Sequence, residues 1–157
     1  MIEHGSITVK VTCDRGVTHE IVRHRIASYS QESTRYCNYS NDKFENQISC
    51  IDLATGFQHD LNNEKDLKKY ELWQEAMKSA ETYYFQMLEL GARPEEARSI
   101  LPNSLKTEIV MTMNIREWRH FIRLRGAKAA HPQIREITEQ ILSAFVERYP
   151  LFFEDLK

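Results

Sequence analysis

Arg23-His24-Arg25-Ile26-Ala27-Ser28-Tyr29-Ser30-Gln31-Glu32-Ser33-Thr34-Arg35-Tyr36 is the stretch on which the reading of this chain turns. It opens with two cations around an imidazole and continues through hydroxyls and an amide to a third arginine. Upstream, Asp14 stands where it can cap a helix that carries Val17, Ile21 and Val22 into Arg23-His24-Arg25. Continued at about 100° per residue, that helix puts Arg25 between Ile21 and Val22, on its apolar side. A cation buried there needs an anion, because burial of an unpaired charge is costly. From Ser28 to Asn41 the chain is polar and nearly free of aliphatic residues, and reads as a structured loop. Its hydroxyls and the Arg35 fork are suited to a phosphate. The plainer alternative is a basic helix end that complements the helix dipole, followed by a polar loop. Spacing alone favours the plainer alternative and leaves the anion site open.

Around this stretch, Ile7, Val9, Val11 and Cys13 alternate with polar residues, the pattern of a strand with one buried face. A short strand is expected around Gln47 to Ile51. A long helix is expected from Asn63 to Gly91, with Leu67, Tyr70, Trp73, Met77, Ala80, Tyr84, Met87 and Leu88 at helical spacing. That stripe fits a packed core or a subunit interface better than a cofactor box. Pro94 opens a short helix ending before Leu101-Pro102, and Leu105 to Met113 gives another strand. Asn114 caps a helix running to about Arg125. Pro132 opens the last long helix, with Ile134, Ile137, Ile141, Leu142 and Phe145 on one stripe. No G-x-G-x-x-G follows a strand, which argues against a doubly wound nucleotide fold. The expected class is α+β, a mixed sheet packed with long helices.

The 157 residues fit one domain, and a formal net charge of −2 gives no global field for nucleic acid or an anionic membrane. No apolar run reaches the length of a membrane span and no signal-peptide pattern opens the chain, so the expected location is the cytoplasm. Cys13, Cys37 and Cys50 have neither disulfide-framework nor zinc spacing, and free thiols are expected.

Two further arginine groups carry chemistry. In Asn114-Ile115-Arg116-Glu117-Trp118-Arg119-His120-Phe121-Ile122-Arg123-Leu124-Arg125, Arg116, Arg119 and Arg123 share one helix face with His120 at its edge. Such a row is usually solvated. Arg125 falls among Ile115, Trp118, Phe121 and Ile122, and is the better candidate for a buried anion contact, although a terminal arginine can also reach water. Arg98, after Pro94-Glu95-Glu96-Ala97, taken alone is an ion-pair or helix-end residue. His131, before Pro132, can be a loop residue; His4, His19 and His59 have no ligand spacing.

Taken in order, these groups resemble the flavin-dependent thymidylate synthase (ThyX) family. The family's Arg-His-Arg, seven residues, then Ser is matched by Arg23-His24-Arg25 through Ser33, and the agreement runs on to Arg35-Tyr36. Arg98-Ser99-Ile100-Leu101-Pro102 is similar to its Arg-x-x-Leu-Pro segment. Asn114-x-Arg116, Leu124-Arg125 and His131 resemble its C-terminal flavin and nucleotide motif. The resemblance covers nearly all of the chain and implies one ThyX-like catalytic domain over residues 1–157. It implies reductive methylation of dUMP to dTMP, with methylenetetrahydrofolate supplying the carbon and NADPH reducing FAD. It places dUMP on Gln31, Ser33, Arg35, Arg98 and Arg125, with Arg35 and Arg98 toward the phosphate and Arg125 toward the uracil. Ser33 and Arg125 become the catalytic-site pair, the serine as a substrate-binding hydroxyl and not a nucleophile. Arg23, His24, Arg25, Asn114, Arg116, His120 and His131 line the flavin and folate side, with no metal. The resemblance further implies a homotetramer with shared active sites, without nucleic-acid or membrane partners.

Three departures accompany it. Glu20 stands where some members carry Gln, and an acid there would repel a phosphate, so Glu20 is kept out of the dUMP set. Residues 126–130 are longer than in some members, which bears on His131. Full-length members carry an N-terminal segment with flavin contacts before the Glu3-His4 equivalent. The alternative expectations are a truncated, non-catalytic relative that keeps nucleotide binding, and an arginine-rich nucleic-acid-binding module.

Overall fold

The structure, a computed structural model, describes residues 1–39 and 46–157. Its elements run β1 (Ser6–Asp14), α1 (Arg15–Ile21), β2 (Ser28–Gln31), α2 (Leu53–Phe57), α3 (Glu64–Glu89), α4 (Pro94–Ala97), β3 (Lys106–Asn114), α5 (Ile115–Arg125), α6 (Pro132–Arg148) and α7 (Pro150–Phe153). Short 3-10 turns follow α4 and α7, at Arg98–Ile100 and Glu154–Leu156. The three strands form one sheet in the order β1-β3-β2. Thr8 lies against Thr112 and Lys10 against Glu108, so β1 and β3 are antiparallel. The class is α+β, as the alternation and helical stripes imply.

Helix limits follow local chemistry where local chemistry is strong. Asn63 caps α3 by accepting from the Lys65 and Asp66 backbone N–H groups. At the other end Gly91 has φ +90°, and the Ala92 and Gly91 N–H groups bond to the carbonyls of Met87 and Leu88. That is the Schellman arrangement, in which a left-handed residue lets the last carbonyls find donors. Asn114 caps α5 through the Glu117 N–H, at 2.8 Å.

Three expectations change. The helix from Arg15 stops at Ile21 and does not run through Arg25. The Tyr29 hydroxyl lies 2.9 Å from the Ile21 carbonyl and 2.7 Å from that of His24, and its one proton serves whichever is better aligned. The last carbonyls of α1 accept from the Val22, Arg23 and His24 N–H groups, with Tyr29 of β2 beside them, and Arg23 and Arg25 sit exposed after the helix. Part of the expected loop, Ser28–Gln31, is a strand; positions 40 and 41 of that loop lie outside the described residues. Around Gln47 to Ile51 the ladder shrinks to one bridge, Cys50 with Leu105. Asp52 then caps α2 and turns the chain away.

The described residues group into two compact units. The first comprises 1–11, 17–30 and 108–157. In its core Trp118 packs edge-on against Phe121 and Phe145, with ring centres 5.6 and 5.0 Å away, and Phe153 of α7 stacks obliquely on Phe145. The apolar residues of α5 foreseen from periodicity, Ile115, Trp118, Phe121 and Ile122, are all buried. The second unit comprises 12–16 and 31–107. Its core is Tyr39, Tyr84, Ala97 and Leu105, with Cys37, Ile48, Phe85, Met87, Leu88 and Leu101 packed around them. Along α3 only Tyr84 of the expected stripe is fully buried, and Leu67 is exposed. No helix among the described residues is long and apolar enough to cross a membrane.

Candidate functional site

In the first unit the turn after α1 and one side of α5 line an open pocket of about 250 Å³. Its lining is Arg23, His24, Arg25, Ile26, Glu117, His120, Leu124 and Arg125. Five of the residues expected to hold ligand therefore share one wall set: Arg23, His24, Arg25, His120 and Arg125.

The centre of that wall is His24, not Arg25. Because α1 ends at Ile21, His24 turns inward to 4% exposure while Arg23 and Arg25 face solvent. Its Nδ1 lies 3.0 Å from a carboxylate oxygen of Glu117, and its ring packs 4.8 Å from Phe121. Arg125 donates from Nε to His24 Nε2 at 3.1 Å. Arginine has no acceptor, so Nε2 must be the lone-pair nitrogen and Nδ1 must carry the proton donated to Glu117. Burial holds the His24 pKa below its ordinary value; the nearby Arg125 and His120 add to this, against the opposing pull of Glu117.

Arg125 has found its anion within the chain, at a part-buried contact. Nη1 donates to the Glu20 carboxylate at 2.7 Å and Nη2 to the Glu20 carbonyl at 2.8 Å. The Arg125 side chain is 15% exposed and that of Glu20 32%. Glu20 is thus a partner of Arg125. Glu117 escaped sequence reading because a carboxylate on an amphipathic helix is normally solvated; its reason for burial, His24, lies 93 positions away.

Sequence reasoning placed three other residues on this side. Asn114 uses its amide oxygen as the α5 cap, Arg116 pairs with Glu3, and His131 precedes α6, half-buried. None of the three lines the pocket. The expected arginine row is paired as well: Arg119 makes a two-pronged contact with Asp155 at 2.6 Å per prong, and Arg123 lies 3.7 Å from the same carboxylate.

The second unit holds the remaining candidates. Gln31 donates to the Thr107 hydroxyl at 3.4 Å, and the Ser33 hydroxyl accepts the Arg35 backbone N–H at 3.3 Å. Arg35 is exposed, stacks over the Tyr36 ring at 5.0 Å and pairs with Glu95 at 3.5 Å. Arg98 is exposed at the start of the 3-10 turn after α4. Arg35 and Arg98 thus both stand at the surface, Arg35 against the Glu95 carboxylate. The three cysteines are free. Burial pushes the Cys13 thiol up to about 12 and Cys50 to about 11, so neither is a thiolate near neutral pH.

His24, Glu117 and His120 also present ligand atoms within 4.8 Å of one another. Both His24 nitrogens are engaged, however, and a metal at Nε2 would stand against the Arg125 guanidinium. Charge repulsion makes this a poor cation site.

The depressed His24 pKa makes an acid-sensitivity prediction. An unfolded histidine takes its proton near pH 6.5, whereas the folded one resists until lower pH. Stability is therefore fully present above that value and falls as pH drops toward the folded pKa, by up to about 1.4 kcal/mol per unit. Urea unfolding at pH 7.5 and 5.5 measures it. A His24→Gln variant should lose that part of the slope, and equal slopes in both proteins would refute the assignment.

The family model described as "Thymidylate synthase complementing protein" (Thy1) matches residues 1–151. A flavin-dependent thymidylate synthase from Pyrococcus furiosus is 36% identical over 149 residues, covering 94% of this chain and 57% of that protein. The enzyme of the same name from Pyrococcus abyssi is 36% identical, covering 96% and 59%; that from Geobacter sulfurreducens is 33% identical, covering 99% and 62%. The chain thus spans less than two thirds of these relatives' length. With a family match over nearly every residue, and the Arg-His-Arg turn forming the wall of its pocket, the chain belongs to the Thy1 (ThyX) family.

Proposed function

We propose that this chain is the catalytic part of a flavin-dependent thymidylate synthase that converts dUMP to dTMP. The observation that carries the reading is the pocket in which the Arg23-His24-Arg25 turn meets Arg125. Its residues fit one part of a flavin. Arg23 and Arg25 offer exposed guanidinium forks to a pyrophosphate, and the exposed His120 offers a planar face to a ring. At about 250 Å³ the pocket takes a single ring system, so the remainder of FAD must extend beyond these walls. Bound FAD supplies the redox chemistry, with NADPH as reductant and methylenetetrahydrofolate as carbon donor.

In this reading the chain's own residues bind and orient. Ser33, Arg35 and Arg98, with Gln31, hold the nucleotide, the two exposed arginines taking the phosphate. Arg125 donates to the uracil edge and stabilises charge developing there. Asn114, Arg116 and His131 act from outside the pocket wall, on the flavin and folate side. We also read the protein as a cytoplasmic homotetramer with shared active sites. Support for an assembly comes from α3, where Leu72 and Tyr83 remain 60% and 57% exposed. A nucleic-acid module is disfavoured, because Arg116, Arg119 and Arg123 already face carboxylates.

Titrating FAD into the purified chain, with absorbance and fluorescence as readouts, tests the reading. Uptake with a flavin spectrum is expected, followed by dTMP formation from dUMP when NADPH and methylenetetrahydrofolate are added. dUMP binding without FAD uptake would identify a non-catalytic relative. Salt-sensitive DNA binding with neither ligand would defeat the reading altogether.

A further inference from the structure

Arg125 is held by more than its place on α5. From one end of the pocket wall to the other, hydrogen bonds run from His24 Nδ1 to Glu117, from Arg125 Nε to His24 Nε2, and from Arg125 Nη1 and Nη2 to Glu20. We propose that Glu117 and Glu20 are positioning residues, which act through this four-residue relay to fix the Arg125 guanidinium and set what it can bind. The assignment of Arg125 to the uracil rests on the function proposed above; the relay itself rests on the contacts alone.

Each link constrains the next. Glu117 accepts only, so it selects the Nδ1–H form of His24. That form leaves a lone pair on Nε2, the acceptor that the Arg125 Nε–H requires. In the other tautomer two N–H groups would face each other at 3.1 Å. Glu20 closes the chain and occupies one N–H of each terminal nitrogen. Three of the five N–H bonds of a guanidinium are then used, which leaves two for a ligand.

The charge of the relay also selects ligand class. Glu20 neutralises Arg125, so the pair favours an uncharged or weakly acidic acceptor edge, such as the carbonyls of a pyrimidine, over a phosphate. A phosphate is left to Arg35 and Arg98, whose charges stand at the surface. Glu20, which as an acid seemed out of place near a nucleotide, is in this view what keeps phosphate off Arg125.

Side-chain NMR on the full chain tests the relay without any ligand. Long-range ¹H–¹⁵N spectra should show His24 as the Nδ1–H tautomer and a slowly exchanging Arg125 Nε–H. Glu117→Gln is isosteric, but its amide can also donate to Nδ1. It should mix the tautomers and speed Arg125 Nε–H exchange about tenfold, the loss of one charge-assisted hydrogen bond. Glu20→Gln, at a part-exposed position, should leave the His24 tautomer intact and raise the affinity for inorganic phosphate about tenfold. An Nε2–H tautomer in the wild type, or unchanged His24 and Arg125 signals in Glu117→Gln, overturns the relay. So does unchanged phosphate affinity in Glu20→Gln. A wild-type chain with the relay signals that takes up no dUMP supports the relay and overturns the substrate assignment. dUMP binding without those signals does the reverse.

Discussion

Replacing Trp118 with alanine should cost about 3–5 kcal/mol of stability, the range for deleting a large aromatic from a closed core. The indole is fully buried, and its N–H donates to the Ile7 carbonyl at 3.0 Å. Alanine removes the packing against Phe121 and Phe145 and leaves the Ile7 carbonyl without that donor. In a protein of this size such a loss lowers the melting temperature by roughly 6–20 °C. Trp118→Phe keeps most of the apolar volume and should cost much less. The loss should also reach the site, because Phe121 stands between Trp118 and the His24 ring. Urea unfolding followed by circular dichroism measures the effect. A change below about 1 kcal/mol with an unchanged denaturant slope would show that this core is not closed around the indole.

The elements that could be foreseen are those whose causes lie within a few residues. α5 is the clearest case, since its Asn114 cap and its stripe of Ile115, Trp118, Phe121 and Ile122 sit within one short segment. α3 is bounded as cleanly, by Asn63 and Gly91. The end of α1 is different. Nothing before Ile21 stops that helix; its end is set by tightened backbone bonds from the Arg23 and His24 N–H groups to the Glu20 and Ile21 carbonyls, with the Tyr29 hydroxyl of a later strand beside them. A helix carried four residues further, to Arg25, would turn Arg25 inward, whereas the inward residue is His24. A strand at Ser28–Gln31 was hidden because its inward side chains are Tyr29 and Gln31, not aliphatics.

The site shows the same division. Its arginines and His24 are legible because Arg23, His24, Arg25 and Arg125 fall in motifs of fixed spacing. The carboxylates that organise them were not. Glu117 is buried on account of His24, and Glu20 faces Arg125 across 105 positions of sequence. Pairings of that kind arise only when the fold brings two helices together, and periodicity carries no trace of them. Arg125 itself was singled out as wanting an anion, since it fell on an apolar helix face. Its partner, Glu20, lies on another helix, out of reach of any local pattern.

For Arg125→Ala the expected result is a loss of about 2–5 kcal/mol in dUMP binding, roughly 30- to 5,000-fold in Kd, with the fold retained. Retention is expected because Glu20, the carboxylate left behind, is partly exposed and can hydrate. The same substitution removes a cation that helps hold the His24 pKa down, so that pKa should rise. Arg125→Lys separates charge from geometry. An ammonium can still meet the Glu20 carboxylate, but it cannot present a planar fork to His24 Nε2, to both Glu20 oxygens and to a ligand at once. Its dUMP affinity should therefore stay close to that of the alanine variant. Calorimetric titration of dUMP into the three proteins, each checked by circular dichroism, gives the answer. Full recovery in Arg125→Lys would mean that the site uses Arg125 only as a point charge, and unchanged affinity in Arg125→Ala would remove it from the nucleotide site. Weak binding in both variants would place the specificity in the orientation of the guanidinium, which is the property that His24 and Glu20 control.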